Sequence, residues 1–359
     1  MLRRSPLHND RAFVSLCRSF RCVDATKLGS ENQTQMNKLN GSIRGDEVSE
    51  LLRTVRFRGA VFCRSELSAP WGFSVTGRDF ASFHIVTHGR CCLDVQGLDG
   101  RFALSEGDLV ILPGGHTHTV RDSPSSPATR LEELIAGSGI DANGTLRTGG
   151  GGAVSVLICG GFRFEDGATH PVVASLPPII HLRGRTRGVE NWLGLTLAFL
   201  AEEAEAGRPG AELAVTRLAD LLFIEVLRTY FSATETSRVG LAAALRDPQI
   251  AAAILTIQRE PEARWDVGNL ARRVAMSRTT FATRFKALVG ESPFSYVTRC
   301  RMSKATAALR SGTAKIAEVA SRAGYDSEAS FGRAFKRWTG TSPAAFRTGI
   351  EKAQRRPRR

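Results

Sequence analysis

The sequence predicts an α+β protein: a small antiparallel β-barrel with flanking helices, then an all-α domain of two helix-turn-helix units. Three observations carry that expectation. Short Val/Ile/Phe-rich runs separated by Gly, Asp and Pro fill residues 52–121, which argues for a barrel or sandwich rather than βαβ units. A helix, a short break and a second helix capped by Ser occur twice near the C-terminus. Charge is also divided unevenly: residues 241–359 hold 23 Lys+Arg against 9 Asp+Glu, whereas residues 1–240 hold 26 of each. The surplus of +14 in this 359-residue chain therefore lies wholly in its last third, as expected of a balanced domain joined to one that binds a polyanion. A merely solvated basic surface is the alternative that charge alone leaves open.

Taken in order, residues 1–45 lack a sustained period and are rich in Asn, Gln, Ser and Arg, so a disordered extension is expected. Met36 stands shortly before the first patterned segment, so a start at Met36 rather than Met1 is an expectation, which a native N-terminus found upstream of Met36 would overturn. Residues 46–185 form the β domain, with strand-like runs at 55–61, 72–75, 82–86, 91–95, 109–112 and 154–164. Between them lie a short helical pattern at 129–135 and a glycine run, 149–152, expected to be a mobile surface loop. Residues 186–232 read as linker or dimerisation helices. The pattern around residues 221–227 is apolar on both faces, fitting either a buried helix or one that also meets a partner chain. Residues 233–245 are expected to be a linker, 246–348 the helical domain, and 349–359 a basic tail.

In the helical domain Asp266 caps a segment with Val267, Leu270, Ala271 and Val274 at i, i+3, i+4 and i+7. Residues 275–277 form a break. Ser277 then caps a helix whose inner side is Phe281, Phe285 and Leu288, leaving Arg278, Thr279, Ala282, Thr283 and Lys286 outside. The pattern returns with Ile316, Val319 and Ala320, a turn at 323–325, and Ser327 before Phe331, Phe335 and Trp338. Here Glu328, Ala329, Gly332, Arg333 and Lys336 face outward. Short-chained and basic outer faces after a tight turn suit a recognition helix in the major groove of double-stranded DNA. Between the units residues 293–309 read as one helix, with Phe294, Val297, Cys300, Ala305 and Leu309 spaced for burial.

Residues 248–347 resemble the DNA-binding domain of AraC/XylS-type transcription regulators. The matching residues are Leu270 to Arg278, Arg284-Phe285-Lys286, Gly290 to Pro293, Ile316 to Ala320, Gly324-Tyr325, Phe331 to Arg337 and Gly340 to Pro343. The resemblance implies contacts with two successive major grooves. Base contacts fall by position on Arg278, Thr279, Ala282 and Thr283, and on Glu328, Ala329, Gly332 and Arg333. Lys286 and Lys336 are read as phosphate contacts.

In the β domain the string Gly107 to His118 has the spacing Gly-x5-Pro-x-Gly-x2-His and resembles the second motif of cupin barrels. The first motif is incomplete: residues 82–89 carry Ser where its Glu would stand, and no His-x-His lies within 73–80. His84, Val86 and His88 share a strand face by period two, so His84 and His118 can converge inside the barrel. Two such histidines fit buried hydrogen bonding, contact with an acidic effector, or a weak metal site. The segment as a whole is similar to the cupin-like sensor found ahead of AraC-type DNA-binding domains. That implies a small-molecule effector contacted by His84, Val86, His116 and His118, a homodimer, and RNA polymerase as a further partner.

No apolar run approaches ~18 residues, so no membrane span is expected, and the apolar stretch 12–17 is too short for a secretory core. Seven cysteines without a Cys-x-x-Cys pair fit reduced thiols in a cytoplasmic protein. No catalytic residue, metal or other cofactor is expected. The alternative is a cupin metalloenzyme carrying a DNA-binding appendage; a DNA-repair alkyl acceptor would need a clustered cysteine site that the sequence lacks.

Overall fold

The computed structural model describes residues 47–355 except 78–79, 142–143, 166–169, 185–194, 197–198, 201, 204–207, 234–238 and 313. The extension 1–45, the end of the basic tail and most of the first linker-helix pattern lie outside the described residues.

Helix α1 (Glu47–Thr54) precedes eleven strands: β1 (Phe57–Ser68), β2 (Gly72–Val75), β3 (Ala81–His88), β4 (Arg90–Val95), β5 (Phe102–Ser105), β6 (Leu109–Leu112), β7 (His118–Arg121), β8 (Thr129–Arg130), β9 (Thr145–Gly149), β10 (Val154–Phe164) and β11 (Ile180–Leu182). Helix α2 (Leu131–Ser138) follows β8 and the single-turn α3 (Pro171–Ala174) precedes β11. One sheet runs β11-β6-β3-β10-β1-β9 and the other β5-β4-β7-β2-β8. Their inner faces share one apolar core that includes Leu67, Phe73, Val86, Leu93, Leu112, Val120 and Leu157. The first sheet is covered on its other side too, so Ala81 to Val86 of β3 is buried throughout and lacks the alternation of a half-exposed strand.

The expected closed barrel is instead a pair of open sheets. Closure needs a continuous, staggered ladder. Here β9 runs parallel to β1 at one edge, and the two-residue β8 runs parallel to β2 at another, and neither carries the ladder across to the facing sheet. The glycine run is likewise not a free loop. Gly150 and Gly152 donate to the carbonyls of Ser68 and Ala69 at 2.8 Å each, and a Cβ on Gly149 would lie 1.9 Å from the Ser68 oxygen. Only a residue without a side chain permits that approach.

Helix α4 (Ala211–Ala233) lays Ala219, Leu222, Phe223, Val226 and Leu227 on the outer face of the first sheet, with the Phe223 ring 4.6 Å from Phe162 and 4.8 Å from Phe57. Gly59 of β1 donates its N–H to Asp220 Oδ1 at 2.7 Å. The segment expected to be a linker contains a helix, α5 (Leu241–Leu245), whose five residues are all buried. Its apolar alanines and leucines leave no polar face for a solvated connection.

The remaining helices are α6 (Pro248–Arg259), α7 (Val267–Arg273), α8 (Arg278–Val289), α9 (Pro293–Ser311), α10 (Ile316–Arg322), α11 (Glu328–Thr339) and α12 (Pro343–Arg355). Asp247, Asp266, Ser277, Ser292 and Ser327 each accept a backbone N–H from the following turn, so the expected caps at Asp266, Ser277 and Ser327 are joined by two not foreseen from the sequence. Helix α9 joins two cores. Tyr296, Val297 and Cys300 pack with Phe281 and Phe285, in a cluster continuous with α4, α1 and the first sheet. Met302, Ala305 and Leu309 pack with Val319, Phe331 and Phe335 in a separate cluster. Phe294 and Trp338, expected inside, are 61% and 40% exposed. Phe294 sits in the first turn of α9, and Trp338 lies near the C-terminal end of α11.

Candidate nucleic-acid interface and effector site

The outer face of α8 is built by the inner one. Phe281 and Phe285, one turn apart and fully buried, turn Arg278, Thr279, Thr283 and Lys286 into solvent, with Ala282 half-buried. Burial of each ring contributes roughly 1.5–3 kcal/mol, which fixes the rotation of the helix about its axis. In α11, Phe331 and Phe335 do the same, exposing Glu328, Ala329, Arg333 and Lys336. Gly332 is half-buried, and a Cβ there would meet nothing within 4 Å, so this face presents open backbone.

The helices before each face meet it through a tight turn. In the first, Ala275 takes φ 53°; in the second, Gly324 takes φ 74°. Arg284, adjacent in sequence to this outer set, is not free: its guanidinium pairs with Asp247 Oδ2 at 2.5 Å and ties α8 to the cap of α6. Arg272 of α7 was not singled out by the sequence, yet it borders the groove between α7 and α8 together with Ser277 and Arg278. Its signal was its place in the last turn of α7, exposed and close before Ser277.

In the β domain His84 and His118 do converge. His84 lies on β3 of one sheet and His118 opens β7 of the other, and their Nε2 atoms are 2.8 Å apart. His84 is 3% and His118 2% exposed. His118 Nδ1 lies 2.7 Å from the His116 carbonyl, which can only accept, so that nitrogen donates. In the neutral pair His118 Nε2 then accepts from His84 Nε2, leaving His84 Nδ1 to accept from the Cys159 thiol 3.2 Å away. Burial, helped by the neighbouring His118, holds His84 well below the usual imidazole range and keeps it neutral. Both ring nitrogens of His84 are thus engaged, and among the described residues no group of three or more His, Cys, Asp or Glu is arranged to hold a metal ion. Val86 is fully buried between the sheets; His116 is half-buried, and its Nδ1 has no hydrogen-bond partner. The face shared by 84, 86 and 88 ends at His88, which is exposed and lies 3.4 Å from Glu106.

Residues 46–232 match the family described as Cupin, and residues 270–349 the family described as Helix-turn-helix domain. A putative AraC-like transcription regulator of Streptomyces lividans is 32% identical over 302 residues, covering 84% of this chain and 98% of the relative. The chain belongs to the AraC family of transcription regulators. A further relative, the HTH-type transcriptional regulator AlkR of Acinetobacter baylyi, is 27% identical over 84% of this chain and 99% of its own length. Among solved structures, the DNA-binding domain of AdpA in complex with a target DNA is 34% identical over 30% of this chain and 96% of that one, with a TM-score of 0.29. ToxT of Vibrio cholerae, bound to an unsaturated fatty acid, is 10% identical over 82% of this chain and 96% of its own, with a TM-score of 0.35. This AraC-family protein is thus a DNA-binding transcription regulator with a β-rich N-terminal domain and a helical C-terminal one. Among the described residues no helix is long and apolar enough to cross a membrane.

Proposed function

We propose that the α7–α8 and α10–α11 pairs are two helix-turn-helix units, within a domain spanning residues 246–348, that enter successive major grooves of one operator. The observation that carries this reading is the duplicated, outward-facing helix joined through one continuous α9. Arg278 and Arg333 are the side chains best able to specify a base, each against guanine, at about 1–3 kcal/mol of discrimination. Thr279, Thr283 and Glu328 supply shorter contacts, Ala282, Ala329 and Gly332 allow close approach, and Lys286 and Lys336 hold phosphates. The β domain, residues 46–185, serves as the sensor of a small-molecule effector in the cytoplasm, with His84, Val86, His116 and His118 transmitting or contacting it. Residues 186–232 join two copies as a homodimer. Effector binding shifts the population of arrangements in which the paired domains reach DNA or RNA polymerase.

Selection of bound sequences from random duplex DNA tests the operator reading. The wild-type protein is expected to enrich a bipartite site, and Arg333→Ala to relax preference at one position of one half. If Arg333→Ala returns the same selected motif as wild type, the assignment of α11 to base reading is wrong.

A further inference from the structure

Arg301 stands on α9 between Cys300, which packs in the core of the α7–α8 pair, and Met302, which packs in the separate core of the α10–α11 pair. Its half-buried side chain joins neither core. Nε donates to the Pro261 carbonyl at 2.7 Å and Nη2 to the Ala263 carbonyl at 2.9 Å, while the guanidinium lies 5.7 Å from the centre of the Tyr325 ring. Pro261 and Ala263 belong to the loop 260–266 that leads into α7, and Tyr325 to the turn that leads into α11. One planar fork therefore grips the approach to the first outer helix and backs the approach to the second. The loop and the turn also meet directly. A Cβ on Gly324 would lie 2.6 Å from the Glu262 carbonyl, Arg264 pairs with Asp326 at 3.0 Å, and Lys304 reaches Glu262 at 3.4 Å. Those ion pairs are exposed and weak on their own. The two bonds from Arg301 are charge-assisted and directional, so they hold the loop in one place.

We infer that Arg301 is a positioning residue for DNA recognition: by fixing the loop 260–266 against the Tyr325 turn, it sets the separation of the two stretches of DNA that α8 and α11 read. This role rests on the reading of α8 and α11 as two recognition helices on one operator. Because the two cores are separate, the angle between the helix pairs is held by α9 together with this loop. A rigidly held pair accepts one separation, since each inserted base pair both lengthens the path between the halves and turns one half about the duplex axis. A loosened pair accepts several.

The test uses the full chain and the bipartite site it selects from random duplex DNA, rebuilt with one or two base pairs inserted or removed between the halves. Wild type is expected to lose about 10-fold in affinity for the first base pair of misfit, the scale of one lost base contact. Arg301→Met keeps an unbranched, helix-favouring stem and removes both donors. It is expected to bind adjacent separations within about 3-fold of one another, with base preferences inside each half unchanged. A residue needed only for folding would lower the competent fraction and weaken every separation equally. That result, or a wild-type profile in Arg301→Met, overturns the positioning role. If circular dichroism shows Arg301→Met to be unfolded, Gly324→Ala is put through the same series, because its Cβ forces turn and loop apart with Arg301 in place. A flattened profile there supports the brace and a wild-type profile overturns it. Selection of a single undivided motif by the wild-type protein overturns the two-helix reading itself, whereas a divided motif with an unaltered Arg301→Met profile overturns the brace alone.

Discussion

His170 sits where the β domain touches the helical one. Its Nδ1 accepts from the Val172 N–H at 3.2 Å to start α3, its ring bonds to the Thr54 backbone, and Arg299 and Lys304 lie close enough to repel a proton. Burial, first, and those cations push its pKa down to about 4. The unfolded chain takes up a proton near pH 6.5 that the folded one refuses until about 4, so stability is complete above 6.5 and falls as pH drops through that window. The loss reaches about 3 kcal/mol. Urea midpoints followed by circular dichroism should therefore fall between pH 6.5 and 4, and His170→Gln should flatten part of the slope, the rest belonging to groups such as His84. An unchanged slope in the variant would remove His170 from this role. Sequence placed His84 and His118 within reach of each other, because period two fixes the face of a strand. It could not show that the meeting joins two different sheets, nor that Arg284 is occupied by Asp247, since both depend on packing between distant segments.

Among the elements, most helices of the C-terminal domain were legible because they begin with a side chain that accepts its own backbone, as Asp266, Ser277 and Ser327 do, and because their inner faces repeat at i and i+4; α10 lacks such a cap and was legible from its apolar spacing alone. Strands β9 and β11 were not. Thr145–Gly149 is half polar and ends in the glycine run, and the backbone pairing that makes it a strand comes from β1, some 80 residues away. The turn before α11 shows how narrow such local signals are. Gly324 combines φ 74° with a Cβ position 2.6 Å from the Glu262 carbonyl. Gly324→Ala should cost at least ~1–2 kcal/mol from the left-handed backbone alone, with a further share from displacing Glu262. Thermal denaturation of the full chain checks this; a melting temperature equal to that of wild type would mean that the turn relaxes.

At the scale of the molecule, the division of charge anticipated the division of labour, but not how firmly the two parts are joined. Thr54 Oγ1 donates to Gln258 Oε1 at 2.6 Å and Gln258 Nε2 donates to Tyr296 OH at 2.5 Å; Arg299 reaches the Pro171 carbonyl at 3.2 Å. These bonds run from α1 and α3 into α6 and α9. On α4, away from the residues it buries on the sheet, Leu213 and Leu221 are 59% and 42% exposed about two turns apart, the surface that the proposed homodimer would use. Replacing both by Glu should weaken dimer association about 10-fold or more in sedimentation velocity experiments, because two charges would have to be desolvated. A dimer constant equal to that of wild type would place the contact elsewhere. Helix α9, with its first half embedded in the large core and its second half carrying a separate one, is mechanically a cantilever. Its second half, about ten residues of the 19, reaches about 15 Å beyond that core, so a rotation of about 13° at the root would swing the far helix pair by about 3.4 Å, the rise between neighbouring base pairs. On the proposed reading of α8 and α11 as two recognition helices on one operator, such a change at the fixed end would move α11 by one base-pair step relative to α8, and the spacing between the two halves of the operator would be a gauge of the angle the protein holds.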